Sequence, residues 1–458
     1  MNCWNPVYRM ESLSLSETST SVNPETFSEE QNQAFDLYAN GDNVFLTGPG
    51  GTGKSFLIKK MIEHAKVKGK SCVVCALTGC AAILLDCNAS TIHSWSGIGM
   101  MKGDDDTIIR RIAQKKELRQ HWKTDILIVD EVSMMSKRMF ELLDAIAKRV
   151  RQNSRPFGGM QVVFVGDFFQ LPPVEKDGFC FESDQWFEVF PKKQHLELKT
   201  FFRQSDPVYI EILMQVRKGK LDKESIAQLE KYVARDRDQP ITKIVPTRKQ
   251  ADFINQDMFS KVKETTHTFD ALIHKELTVY LKDGKNIEPA VLSMCHALRD
   301  TEKDREIESL IKNNNIQQSL ILKKGTQIMC MRNIDMERGI CNGSQGTVVD
   351  LVKGRPMVLF TNGTRMLMEQ QVYQSEVYPT LAVCQFPLCL AWALTIHKIQ
   401  GSSLTHAQID IGNSIFEYGQ TYVALSRVRT MDGLYLMNFQ PSRIKSHPKV
   451  IAFYESLV

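Results

Sequence analysis

The stretch VFLTGPGGTGKS, residues 44–55, constrains this chain more than any other. Val44, Phe45 and Leu46 make a short apolar run of strand type. Gly48, four further residues, then Gly53, Lys54 and Ser55 complete a G-x-x-x-x-G-K-S pattern. Leu57, Ile58, Met61, Ile62 and Ala65 follow at helical spacing. Strand, glycine loop and helix start therefore come in the order the chemistry needs. The loop, with Gly48, Gly50, Gly51, Thr52 and Gly53, can curl its N–H groups inward around a polyphosphate at the positive end of the next helix. Lys54 then reaches the outer phosphates, and the Ser55 hydroxyl holds Mg²⁺. A glycine-rich turn followed by a chance Lys-Ser pair would not also have fitting flanks on both sides.

The chain has 458 residues, room for about two to four domains of ordinary size. Its 43% hydrophobic and 24% charged residues are those of a globular protein. A net charge of +4 allows a local basic groove but does not by itself argue for nucleic acid. The longest apolar run, residues 386–396, is too short to span a bilayer, so no membrane partner is expected. The first 23 residues are rich in Ser, Thr and Glu and lack the basic start and apolar core of a secretory signal. A mitochondrial presequence would carry more Arg and fewer acids than Arg9, Glu11 and Glu17 supply. A disordered leader over 1–26 is expected. Eleven cysteines show no framework spacing. Cys72 and Cys75 lie inside the apolar run CVVCAL and read as part of a buried strand. The thiols read as reduced, in an intracellular protein of nucleus or cytoplasm.

The second chemical centre is DILIVDEVSMM, residues 125–135. Ile126 to Val129 form a buried parallel strand, with Asp130 and Glu131 at its carboxyl end, where ligands bind in open α/β sheets. Asp130 is placed to hold Mg²⁺ through water, and Glu131 to orient and deprotonate an attacking water. Upstream, FSEEQNQAFDLYAN reads as a helix with Ser28 as N-cap and Gln31 three residues on. Gln31 fits a capping box, and its amide could also read an adenine edge. Residues 71–77 are a strand, and Thr78-Gly79-Cys80-Ala81-Ala82 turns into a helix. The run STIHSWSGIG, residues 90–99, suits phosphate contacts and base stacking, or else is an ordinary loop with Trp95 in the core. Residues 107–122 read as one helix with a basic, solvated face.

A helix over 139–151, with Leu142, Leu143, Ile146 and Val150 inward, is expected to break at Pro156-Phe157-Gly158-Gly159. The strand 162–165 runs into GDFFQLPP, where Gln170 either senses a γ-phosphate or caps a turn. Arg203 follows two phenylalanines and precedes a helix over 207–218. A strand at 244–247 and a helix at 250–261 come next. Residues 265–320 mix apolar and charged pieces, as an inserted or mobile element would. Residues 320–360 alternate in β fashion, with turn signals at Gly325, Asn342-Gly343, Gly346, Gly354 and Asn362-Gly363. A buried run at 388–396 leads into HKIQGSSL, and GQTYVALSR places Arg427 late on a helix before a strand at 433–437.

The ordered set GPGGTGKS, TGCAA, TIHSWSGIG, VDEVSM, GDFFQLPPV, FFRQ, LTIHKIQGSSL and YVALSRVRT resembles superfamily 1 helicases of group B, the 5′-to-3′ translocases. PFGGMQVVFVGDFFQLPPV, with the preceding ELLDAIAKRVR, is similar to the segment that marks PIF (petite integration frequency) helicases. RecD-type helicases share the general motifs but usually lack that segment. The resemblance runs from about residue 27 to 439. Ile399 stands where the family more often has Ser, and Cys80 sits in the TG-x-AA loop; neither departure removes a charge or a metal ligand.

The resemblance implies an α/β fold of two RecA-like P-loop NTPase domains, each a parallel sheet flanked by helices, with ATP in the cleft between them. Domain 1 would span 27–195, with a small insertion near 91–122. Domain 2 would span 196–264 and 361–458, and 265–360 would be an insertion with a small β-barrel-like unit. By motif position Gln31 would read adenine, Lys54 and Ser55 would bind phosphate and Mg²⁺, and Gln400 and Gly401 would lie against the nucleotide. Asp130 and Glu131 would do the metal and base work, Gln170 would sense the γ-phosphate, and Arg203 and Arg427 would be arginine fingers. Thr78, Gly79, His93, Ser94, Thr395 and His397 fall in motifs that contact single-stranded DNA. The implied protein is an ATP- and Mg²⁺-dependent DNA helicase, monomeric in solution. Its partners would be single-stranded and tailed duplex DNA, together with other replication or repair proteins. A RecD-like or relaxase-associated module, and a DNA-stimulated ATPase that remodels without processive unwinding, would use the same motifs.

Overall fold

The apolar runs of the first half become one parallel sheet in the computed structural model, which describes residues 27–457 apart from 86, 88, 100, 102, 175, 176, 236–240, 282, 283, 336, 341 and 376. The leader expected at 1–26 lies outside the described residues. The strands are β1 (Val44–Thr47), β2 (Cys72–Ala76), β3 (Ser90–Thr91), β4 (Ile126–Asp130), β5 (Gln161–Val165) and β6 (His195–Glu197), in the order β3-β2-β4-β5-β1-β6. Every neighbouring pair is parallel, so the carboxyl ends of β1, β2, β4 and β5 emerge along one edge. All residues of β1 and β4 are buried, which is why both read as unbroken apolar runs.

Local capping sets the helices. Ser28 accepts from the Gln31 N–H at 3.3 Å while Gln31 Oε1 accepts from the Ser28 N–H at 3.1 Å, closing a capping box on the helix Glu29–Ala39. The helix Lys137–Arg151 starts on Ser136 and buries Leu142, Leu143 and Ile146, while Val150 is half-buried. It ends at Gln152, in the left-handed region at φ 52°, before the expected break at Pro156. Phe157 is then pinned beneath it, its N–H donating to the buried Asp144 carboxylate at 2.6 Å. The basic stretch expected as one helix over 107–122 is two, Asp105–Gln114 and Lys116–His121, separated by the extended Lys115. Trp95 takes the core position, 4.9 Å from the Trp122 ring.

The second parallel sheet starts at β7 (Lys243–Val245), and the chain then leaves it for a long insertion. The inserted strands are β8 (His267–Asp270), β9 (Leu272–His274), β10 (Ser319–Leu322), β11 (Gln327–Cys330), β12 (Gln345–Val352), β13 (Arg355–Phe360), β14 (Arg365–Leu367), β15 (Gln371–Gln374), β16 (Ala382–Gln385) and β17 (Leu388–Leu390). The helices Pro289–His296 and Asp300–Asn313 lie between β9 and β10, so much of the hard-to-read stretch 265–320 is regular structure. The main inserted sheet is antiparallel and open, in the order β14-β13-β12-β11-β17.

Here the expected boundary at 360 moves. β14 pairs with β13, β16 with β9 and β17 with β11, so the inserted unit runs on to Leu390. The single apolar run 388–396 is divided between two sheets, β17 in the insertion and β18 (Ala393–Thr395) in the parallel sheet. Gly346 is no turn: it sits inside β12, where a side chain would meet the Leu359 carbonyl at 2.8 Å. With β19 (Ala407–Ile411) and β20 (Leu434–Phe439), the second sheet has the order β18-β7-β19-β20, all parallel.

The two sheets are held together by more than the linker. The C-terminal helix Pro448–Glu455 folds back onto the first sheet, where Phe453 stacks 4.2 Å from Phe181 and Tyr454 shares a 2.5 Å hydrogen bond with Thr47. Arg217, at the end of the helix Pro207–Arg217, reaches Asp167 just past β5, with Nε 3.0 Å from Oδ2 and Nη2 3.0 Å from Oδ1. Its third nitrogen donates to Glu197 at 2.9 Å, and the guanidinium lies 4.6 Å from the Phe169 ring centre. No helix among the described residues is long and apolar enough to cross a membrane.

Asp167 is fully buried, and Arg217 is its ion-pair partner. Replacing Arg217 by Leu should cost about 3–5 kcal/mol, because an unpaired buried carboxylate remains. Thermal unfolding should show a melting temperature about 3–5 °C below that of the parent. An unchanged melting temperature would contradict the bridge's structural role.

Candidate active site

The strand β1 delivers the glycine loop at its carboxyl end. Gly51 has φ of +94°, and a side chain there would meet Gln204 Oε1 and Arg203 Cβ at 2.7 Å. Gly53 is left-handed as well, and the helix Lys54–Val67 starts with no side-chain cap, leaving its first N–H groups for a ligand. Lys54 Nζ lies across the loop, donating to the carbonyls of Gly48 at 2.6 Å and Pro49 at 2.8 Å. Thr52 stiffens the loop by donating its hydroxyl to Pro49 at 2.9 Å.

A cleft of about 440 Å³ opens above this loop. The first sheet contributes Gly50, Gly51, Gly53, Lys54, Ser55, Asp130, Glu131 and Gln170, while Arg203, Gly401 and Arg427 come from the chain that builds the second. Of the nucleotide-site residues expected from sequence, Gly48, Thr52, Gln31 and Gln400 do not line the cleft. Gln31 donates to the Thr52 carbonyl at 3.4 Å, so its amide supports the loop as well as the capping box. Gln400 donates to Glu131 Oε2 at 3.2 Å.

Electrostatics point to a polyanion. Desolvation holds Lys54 below its ordinary range, against the opposing pull of Asp167, Glu131 and Asp130. Burial pushes Arg203 down to about 10, with Arg427 beside it adding to the shift. Arg427 is itself buried and lowered by desolvation. Three cations, Arg427 buried and Lys54 and Arg203 half-buried, thus face one space. Among the acids, burial raises Asp130 to about 7, with Glu131 adding to it. Glu131 follows with φ of +57°, a left-handed conformation unusual for Glu, and its N–H donates to Asp130 Oδ1 at 2.8 Å. Gln170 carries a buried Oε1 without a hydrogen-bond partner and opens into the same cleft. That orphan acceptor fits a group that arrives with the ligand.

Arg427 does not sit on a helix as expected. The helix Gln420–Leu425 ends one residue earlier at Ser426, and Arg427 is held by its Nε to the Val423 carbonyl at 2.9 Å and its Nη2 to Ser426 Oγ at 2.8 Å. Phe56, Phe202, Ser403 and Arg429 also line the cleft and were not singled out from sequence. Their only sequence signal is adjacency, Phe202 beside Arg203 and Arg429 two residues after Arg427.

The residues expected to meet DNA follow strands of both sheets. Thr78 follows β2 and caps the next helix, its hydroxyl accepting from the Ala81 N–H at 3.2 Å. The Asn313 carbonyl stands where a side chain at Gly79 would go, so the inserted helix Asp300–Asn313 abuts that loop. Past β3, His93 is half-buried and Ser94 exposed. Thr395 ends β18, buried, with its hydroxyl accepting from the Lys398 N–H at 3.3 Å, and His397 is exposed beyond it.

Comparison with known proteins adds to this geometry. Residues 26–226 match the family described as PIF1-like helicase, and residues 307–351 match the 2B domain of DNA helicase Pif1. The chain is 34% identical over 440 residues to the ATP-dependent DNA helicase PIF1 of Danio rerio, covering 94% of this chain but 64% of that one. It is 35% identical over 436 residues to the ATP-dependent DNA helicase Pif1 of Bdellovibrio bacteriovorus, covering 93% of this chain and 91% of that one. Among solved structures, Bacteroides Pif1 with ADP-AlF4 superposes with a TM-score of 0.71 at 26% identity, covering 94% of this chain and 96% of that one. The same helicase with ADP-AlF3 and single-stranded DNA superposes with a TM-score of 0.61 at the same identity and coverage.

The raised Asp130 carboxyl has a measurable consequence. The folded chain keeps this proton up to about pH 7, whereas the unfolded chain releases it in the ordinary carboxylate range. Between those limits the folded state binds more protons, so the group's contribution to stability falls as pH rises and levels off above about 7. In chelator and without nucleotide, the melting temperature of the parent relative to Asp130→Asn should decline from about pH 4.5 to 7. A difference that is flat or rises over that window would contradict the assignment.

Proposed function

The chain belongs to the PIF1-like helicases, and from that premise we propose that it is an ATP-dependent DNA helicase that travels 5′ to 3′ on single-stranded DNA and unwinds tailed duplexes. The observation that carries this reading is the meeting of Lys54 with Arg203 and Arg427 around one cleft. A triphosphate seated there would contact both sheets' residues at once. We assign the moving lobes to the two parallel sheets, with the unit 265–390 as an accessory to the second.

The donor set fits Mg²⁺: the Ser55 hydroxyl and the Asp130 carboxylate, both hard oxygen ligands, open into the same cleft. Bound there, the ion would neutralise charge on the outer phosphates. Glu131, held by Gln400 at 3.2 Å, is placed to take the proton of an attacking water. Arg203 and Arg427 stabilise charge that develops on the transferred phosphoryl group. Because these arginines belong to the second lobe, the triphosphate favours the closed cleft, and its loss removes that bias. Thr78, Gly79, His93 and Ser94 on one lobe, and Thr395 and His397 on the other, would grip the strand. Alternating grip with closure gives a directed step.

Arg427→Ala should lower ATP turnover by about 10³-fold or more while leaving the affinity for a non-hydrolysable analogue within a few-fold. Near-normal turnover would contradict two-lobe catalysis. Single-stranded DNA should raise the turnover of the parent, and its binding should weaken steeply with salt as counterions are released. Unwinding should require a 5′ tail. Unwinding from a 3′ tail would reverse the polarity, and ATP turnover without unwinding of either substrate would favour a remodelling ATPase.

A further inference from the structure

One buried contact links the glycine loop to the second lobe and has no part in the chemistry above. The Gly50 N–H donates to the Tyr422 hydroxyl at 2.9 Å, and both residues are buried. Tyr422 lies on the helix Gln420–Leu425, which leads directly to Ser426 and Arg427. The helix is fixed at each end. At its start, Gly419 holds φ of +71° and packs so closely on the carbonyls of Phe169 and Gln170 that no side chain would fit. At its end, Tyr209 donates to the Leu425 carbonyl at 2.8 Å, and Gln204 donates to the Ser426 and Val428 carbonyls at 3.2 and 3.3 Å. Between those ends Tyr422 is the helix's hydrogen bond to the phosphate loop. Breaking that bond strands a buried amide, which is costly.

We propose that Tyr422 is a positioning residue that ties the phosphate loop to the helix Gln420–Leu425, which leads into Arg427. Closure of the lobes thereby places Arg427 in register with whatever fills the loop. The hydroxyl does not line the cleft and touches no reacting atom; it acts through Gly50 on one side and Arg427 on the other. The link is short, since the Arg427 Nε donates back to the carbonyl of Val423, the residue after Tyr422, at 2.9 Å. The proposal rests on the ATP-hydrolysing reading given above and adds a residue to it.

Tyr422→Phe removes the acceptor and keeps the ring. With single-stranded DNA present, kcat for ATP should fall about 5- to 20-fold, with KM and analogue affinity changed by less than about twofold. In the Arg427→Ala background, where residual turnover is followed with radiolabelled ATP, the same change should have no further effect beyond about twofold. A purely structural contact would lower turnover by the same factor in both backgrounds, and that result overturns the proposal. So does a kcat within twofold of the parent. Amide exchange over residues 47–54, read by mass spectrometry without nucleotide, tests the tie independently of turnover. One amide protected in the parent should exchange at least about tenfold faster in Tyr422→Phe, and equal exchange also overturns the proposal. A parent that does not hydrolyse ATP at all would instead defeat the functional reading, leaving the exchange result to decide the contact.

Discussion

Three partly desolvated cations around one cleft are the constraint on which the rest of this structure turns. Lys54 comes from the loop after β1, Arg203 from the approach to the helix Pro207–Arg217, and Arg427 from the end of the helix Gln420–Leu425. Desolvation disfavours the charged form of each, and like charge sets Arg203 against Arg427. Backbone carbonyls compensate in part: those of Gly48 and Pro49 accept from Lys54, and that of Val423 accepts from Arg427. A bound polyphosphate would replace these neutral partners with charged ones. The site is therefore primed for a ligand of high negative charge.

Holding the lobes together is the work of separate devices. Arg217 and Asp167 form a bidentate ion pair next to the Phe169 ring. The C-terminal helix places Tyr454 on Thr47, immediately before the glycine loop. Gly419 rests on the carbonyl of Gln170, the residue with the orphaned acceptor in the cleft. Each contact lands within a few residues of a cleft-lining group. Under the two-lobe reading proposed above, movement of the second lobe would reach the loop, Gln170 and the arginines together.

How much of this was legible in the sequence depended on the range of the interaction. The glycine loop, the strand ending in Asp130-Glu131 and the capping box at Ser28 are local, and each needs only its own neighbours to be recognised. Arg203 and Arg427 were identified through resemblance, and their convergence with Lys54 needed the fold. The extent of the insertion was misjudged because apolar alternation does not say which sheet a strand joins. Residues 388–396 read as one run, yet β17 pairs with β11 and β18 with β7. Tyr422, Arg217 and Tyr454 left no local trace, since their partners Gly50, Asp167 and Thr47 are far away in the chain. Phe157 at φ of +47° likewise depends on a partner elsewhere in the chain, the Asp144 carboxylate that accepts from its N–H.

The central claim is that one triphosphate is shared by two lobes, cradled by the first and neutralised by the second. A crystal structure of this chain with ADP and aluminium fluoride tests it most directly. The account predicts the fluoride group held by Lys54 on one side and by the guanidinium groups of both Arg203 and Arg427 on the other, at hydrogen-bond distance. A nucleotide complex in which either guanidinium points away from the fluoride group, with the lobes still in contact, would contradict it.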